Sequence, residues 1–250
     1  MTSWPGRGRR GPRGRALVGL AGAVLAGVGD VLILGRAGSG AEFDRAAGVL
    51  VPPHVGLAPR WRSLWNGTVH PPSRIYLGTV AGLAGIGLVE RFGLRGSVRA
   101  GRGAAGGVGR GAAAVFGVSG ALTHLSCGVL ILAGRRALAA AAAEPADPAV
   151  SAAVVRPVAP GWSTALGVSA AATLGALAVL SADATARSLR SPGAGPTWAA
   201  FVTPFPFVLV TLLTFGALPA PLGGYLRPAS ISTGLLLYLA VEAAAPVQRD

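Results

Sequence analysis

Residues 16 to 35, ALVGLAGAVLAGVGDVLILG, hold a single charged side chain, Asp30. An α-helix needs roughly 20 apolar residues to cross the hydrocarbon of a bilayer. Further apolar runs lie at 73 to 90, 112 to 133, 161 to 181, 198 to 218 and 229 to 245. None alternates in polarity as a transmembrane strand does, and hydrocarbon admits only helices or closed barrels. The expected fold is all-α: a polytopic transmembrane helix bundle of about six spans, forming one domain from 16 to 245. A basic segment, 1 to 15, precedes it, and a short tail, 246 to 250, follows.

Charge usage points the same way. Charged residues make up 12% of the chain, against about 25% in a soluble domain. The net charge of +13 rests on arginines crowded between the apolar runs, without a motif of a nucleic-acid-binding fold. The expected partners are the bilayer and its anionic headgroups, not nucleic acid. Small-residue helix faces also allow a helix-mediated oligomer or a membrane-protein partner. The chain has no lysine and one asparagine, Asn66. With its excess of Ala, Gly, Pro and Arg, this is the codon signature of a GC-rich bacterium, so the expected site is the bacterial cytoplasmic (inner) membrane.

Arginine placement gives an orientation. With the N-terminus inside, segments 1 to 15, 90 to 111, 182 to 196 and the tail hold 13 arginines, and the outer segments hold 9. GRGRRGPRGR abuts the first run with no acid in it, and positive charge stays inside. Both termini are expected in the cytoplasm. The N-terminus also resembles a secretory signal, with Val24-Leu25-Ala26 as a cleavage site. The apolar run continues through Val31-Leu32-Ile33-Leu34, so an uncleaved first span is expected. In loop 36 to 74, Trp61 and Trp65 read as interface anchors, and the sequon Asn66-Gly67-Thr68 reads as accidental. RGSVRAGRGAAGGVGRG, residues 95 to 111, lacks the ending of a phosphate loop and reads as a basic linker near lipid.

An acid inside a span costs about 2.5 to 3.5 kcal/mol at the helix centre and less towards an end. Asp30 therefore needs a partner. It continues the row Gly22, Ala26, Asp30, beside the row Gly19, Ala23, Gly27. Small residues at helical spacing mark helix contacts in lipid. Gly78, Ala81, Gly82 and Gly85 give the second run such a face, and Gly120, His124 and Gly128, with Cys127 beside them, give the third. Asp30 lies about 7 Å of helical rise from the outer end of its run and His124 about 14 Å, a gap the two side chains can bridge. Such a pair can relay protons or hold a polar group of a substrate. Arg74, at the outer end of the second run, is the rival partner. Glu90 and Glu242 are weaker candidates, expected near the cytoplasmic interface. Thr203 and Pro204, in the stretch Thr203-Pro204-Phe205-Pro206, are weaker candidates too, because prolines can break a span into a substrate-lining kink.

No metal or cofactor is expected. Cys127 is the only cysteine and reads as a packing residue. His54 and His70 share loop one with Glu42 and Asp44 but lack helical ligand spacing, and Gly117-Val118-Ser119-Gly120 is not a nucleophile elbow.

Gly27-Val28-Gly29-Asp30-Val31-Leu32-Ile33-Leu34 resembles the opening of an uncharacterised bacterial family of multi-pass membrane proteins with a Gly-Asp pair in the first helix. SRIYLGTVAGLAG (73 to 85), ALTHLSCG (121 to 128), PFVLVTLLTFGALP and YLRPAS extend the resemblance. That family carries an Asn-Pro pair where Thr203-Pro204 stands here. The resemblance implies an integral membrane protein and no particular substrate.

Three functional readings remain at this stage. One is a transporter-like protein with an interior Asp30/His124 site. Another is an accessory or structural membrane protein whose polar residues fix packing, and in neither is a catalytic activity expected. The third is a lipid-modifying enzyme using Asp30, His124 and Glu90, which the expected placement of Glu90 on the opposite side disfavours. A dry, fully packed interior around Asp30 excludes the first.

Overall fold

A computed structural model describes residues 12–35, 70–95, 106–143, 160–190, 202–219 and 222–244. The expectations for segment 1 to 11, Trp61, Trp65, His54 and the sequon in loop one, the linker 96 to 105 and the tail lie outside the described residues. The described residues form seven α-helices: α1 (Pro12–Leu34), α2 (Pro72–Leu88), α3 (Gly106–Ala143), α4 (Pro160–Arg190), α5 (Pro204–Ala217), α6 (Leu222–Leu226) and α7 (Ser230–Ala244). A π-helical segment, Val89–Leu94, continues α2. Four stretches are long and apolar enough to cross a membrane: Gly14–Leu34, Pro72–Leu94, Gly107–Arg136 and Thr164–Arg190. α5 and α7 are apolar but shorter, at 14 and 15 residues. Leu77, Val80, Val118, Val168 and Leu213 are each more than 60% exposed, as side chains that meet lipid are.

The fifth helix starts later than its apolar run. Thr203 takes an extended N-cap conformation, and Pro204 occupies the first turn. Proline is tolerated there because that N–H has no intrahelical partner in any case. The Thr203-Pro204-Phe205-Pro206 stretch is thus a helix start and not a kink. The backbone N–H of Phe205 donates to Ser181 Oγ of α4 at 2.9 Å, which satisfies one orphan donor of the new helix.

Antiparallel neighbours run α1–α2–α3–α4–α5–α7 and back to α1, closing a ring. Glycines set the closest crossings. A Cβ on Gly29 would stand 2.6 Å from Gly82 N and 2.7 Å from Gly78 O, and one on Gly85 would stand 2.6 Å from Gly22 O. The α1–α2 seam is therefore backbone against backbone, and Gly19 meets Gly93 further along it. α3 and α4 are held differently. The hydroxyls of Thr123 and Ser169 lie 3.0 Å apart, and those of Thr173 and Ser119 lie 2.9 Å apart.

The half of the ring nearer the start of α1 is filled by Phe116, Leu177, Val89, Val208, Leu235 and Leu239, all fully buried. The other half holds a smaller cluster, Ile33, Ile75, Cys127 and Ile131, and a cavity.

Candidate functional site

Asp30 and His124 meet across the second helix. His124 Nε2 lies 2.9 Å from Asp30 Oδ1, with side chains 9% and 16% exposed. α2 stands between α1 and α3, and Gly82 lets the imidazole pass. A Cβ there would fall on the ring, against Cδ2 and 2.7 Å from Nε2. Ser232, from the first turn of α7, donates through Oγ to Asp30 Oδ2 at 2.6 Å. Gly27 faces Ser232 and Ala229, so α7 comes in close enough for this bond.

The hydrogen bonds place one proton. His124 Nδ1 lies 3.0 Å from Gly120 O, and a carbonyl can only accept, so Nδ1 carries a proton. A neutral pair needs a second proton, on Nε2 or on the Asp30 carboxyl. The Nε2–Oδ1 contact is close but out of line for an Nε2–H hydrogen bond, which makes it a close polar contact more than an aligned bond. The carboxylate, and not the imidazole, occupies the centre of the Ser232–Asp30–His124 chain. A serine nucleophile needs a base beside its hydroxyl. Here the serine and the histidine hold opposite oxygens of one part-buried acid, and the imidazole that would serve as base is not beside the Ser232 hydroxyl.

Beside the pair lies a cavity of about 290 Å³. Its polar lining is Asp30, His124, Ser232, Thr123, Thr173 and Cys127, and the rest comes from Ile33, Leu34, Ile86, Leu166, Ile231 and small residues. The volume is at the low end of small-molecule sites, which run from about 300 to 1,000 Å³.

Arg74 does something else. Its Nε donates to Leu32 O at 2.8 Å, and its Nη2 donates to Val31 O and Gly35 O at 3.0 and 2.6 Å. It caps the carbonyls left at the end of α1, where the helix dipole also favours a cation. Arg227 does the same at the end of α5, reaching Phe215 O and Leu218 O. Replacing Arg74 by glutamine is expected to cost about 1–3 kcal/mol, read as a lower thermal midpoint in detergent, while the His124 imidazole keeps its NMR shifts. A shifted imidazole would mean that Arg74 acts on the pair after all.

The other sequence candidates are not brought to the site. Glu90, in the π segment, pairs with Arg95, the residue that follows that segment. It faces Gly117, seven residues before His124 and so about 10 Å away along α3. Glu242 lies ten residues beyond Ser232 on α7, and Thr203 and Pro204 belong to the opposite end of the bundle. Among the described residues, no group of three His, Cys, Asp or Glu side chains is placed to hold a metal ion.

Ser232, Thr123 and Thr173 are the site residues that sequence reasoning missed, and Gly82 was legible as part of a contact face but not as the opening for His124. Ser119-x3-Thr123 and Ser169-x3-Thr173 carried a signal: two hydroxyls per helix, four apart, in apolar runs that pack antiparallel. Compared with protein-family models, with curated proteins and with solved structures, the chain gives no match.

Proposed function

We propose that this chain is a six-span protein of the bacterial cytoplasmic membrane, with both termini inside, and that it is transporter-like. It binds a small molecule in the interior of its helix ring, against Asp30 and His124. The observation that carries this reading is the cavity itself, which opens beside a part-buried acid that packing alone does not require. A dry, filled interior would have spoken for a purely structural pair.

Alternation of helix direction around the ring supports six spans. α5 and α7 rise only about 21 and 22 Å, and a short span is accommodated by local thinning of the bilayer and by its neighbours. The exposed Arg91, Arg110 and Arg190 gather at the end where α2 and α4 finish and α3 begins. That is the end read as cytoplasmic, where anionic headgroups would meet them. The lipid-enzyme reading loses Glu90 to Arg95.

Reporter fusions within loops 36 to 74 and 96 to 105 are expected on opposite faces of the membrane, and the same face for both would end the six-span reading. Asp30→Asn and His124→Gln are expected to abolish a cellular phenotype while most of the thermal stability in detergent remains. Stability and phenotype falling together would favour the accessory protein instead.

A further inference from the structure

We propose that the cavity takes a lipophilic monocation and exchanges it for the proton held between Asp30 and His124. This rests on the transporter-like reading and names its substrate class.

The argument is a charge balance. With Nδ1–H directed at Gly120 O, the pair needs one further proton to be neutral, and a net charge withdrawn from water is disfavoured. The pair is then neutral overall whether that proton makes an imidazolium beside a carboxylate or an imidazole beside a carboxylic acid. When that proton leaves to water, one negative charge remains at Asp30, which among the described residues accepts a hydrogen bond from the Ser232 hydroxyl alone. A buried, uncompensated charge is strongly disfavoured. A cation seated against Asp30 restores neutrality. One cation enters, one proton leaves, and no covalent bond other than that to the proton changes.

No other charged group competes for the role among the described residues that surround the pair. On α2, Arg74 is directed to the carbonyls of α1 and Glu90 to Arg95. On α3, Cys127 lines the cavity as a buried thiol. α4 contributes Leu166, Ala170 and Thr173 there, and its Asp183 is paired with Arg187 at the far end. α7 contributes Pro228, Ile231 and Ser232, while Arg227 is held on α5 carbonyls. With its one acid unprotonated, the cavity therefore repels an anion and attracts a cation.

The walls set the body of the ligand. Apart from the Asp30 end, they are largely hydrocarbon, so a strongly hydrated cation would lose water without replacement. A cation whose charge is carried by an apolar body loses little. Its route also suits a lipid-soluble molecule. α4 and α7 face each other across the cavity, no described α5 residue lines it, and α5 is fastened to α4 at the other end, at Ser181 and Phe205. A lipid-soluble ligand would enter between α4 and α7.

Phenyltrimethylammonium and its neutral isostere tert-butylbenzene test the idea on purified full-length protein in detergent. Calorimetry is run between pH 5 and 9 in buffers of different ionisation heat. Expected are cation binding at least tenfold tighter than that of the isostere, release of about one proton per cation, and up to tenfold weaker cation binding per unit of falling pH. Binding of tert-butylbenzene should not depend on pH. Asp30→Asn should lose the preference for the cation yet keep tert-butylbenzene, which reports an intact cavity. Ala170→Phe should lose both. If Asp30→Asn does not fold, the wild-type comparison and its proton count still decide. Equal affinity for the two probes, or no proton release at any pH, overturns the exchange and leaves the site standing. Absence of any binding sensitive to Ala170→Phe removes the transporter-like reading itself.

Discussion

Replacing Gly82 by alanine is expected to destabilise the protein by about 1–3 kcal/mol, the usual cost of overpacking a close helix contact, and to expel the His124 ring from its contact with Asp30. The reason is local. The nearest atoms to the added methyl all belong to His124, and the ring's position is fixed on its other side by Gly120 O. The imidazole has to turn away, and Asp30 is left with Ser232 alone. The test is a double-mutant cycle followed by thermal or denaturant unfolding in detergent. On a His124→Ala background, where the ring is gone, the same methyl should cost less than about 0.5 kcal/mol, because no clash remains to couple the two sites. If the methyl costs the same on both backgrounds, His124 does not pass over Gly82.

Removing the acid alone is expected to cost still more. Asp30→Leu leaves the Nε2 of His124 and the hydroxyl of Ser232 facing a hydrocarbon side chain. Breaking a buried pair from one side costs about 3–5 kcal/mol. Replacing both members by apolar residues of similar volume is often neutral, so Asp30→Leu with His124→Leu should recover most of the loss. Asp30→Asn should sit between, because an amide oxygen still accepts from Ser232. Unfolding in detergent ranks the four proteins. A double variant no more stable than Asp30→Leu would show that the pair contributes nothing beyond the acid itself. Such a result would also weaken the charge balance behind the proposed exchange, since that balance needs Asp30 and His124 to act as one unit.

Much of the helical layout was legible because membrane spans announce themselves by length and hydropathy. Asp30 and His124 were legible as neighbours because both interrupt apolar runs, lie at similar depths and continue small-residue faces. Ser232 was not. It is 202 residues from Asp30, and one serine among several hydroxyls at the start of a short apolar run carries no mark of its target. Arg74 reaches the carbonyls of α1 and not the Asp30 carboxyl, because helix ends compete with side chains for a guanidinium. The end of α1 leaves carbonyls without partners, and these lie closer to the guanidinium's reach than the carboxylate a turn deeper. The prolines of α5 misled in the same way, since residue type signals a break in a helix but not whether the break is its middle or its beginning.

The π segment that follows α2 bears on how that helix keeps its alignment. Gly85 and Gly93 both meet α1, at Gly22 and Gly19. Eight residues of regular α-helix overshoot two full turns by about 80°, which would rotate Gly93 off the seam. Bonds from i to i+5 accommodate an extra residue in the turn and bring Gly93 back into phase. α2 is thus two helical stretches joined by a phase correction, each registered on α1 by its own glycine. The tightest seam of the ring can therefore absorb a one-residue change in length at Val89–Leu94 without moving Gly82, the opening through which His124 reaches its acid.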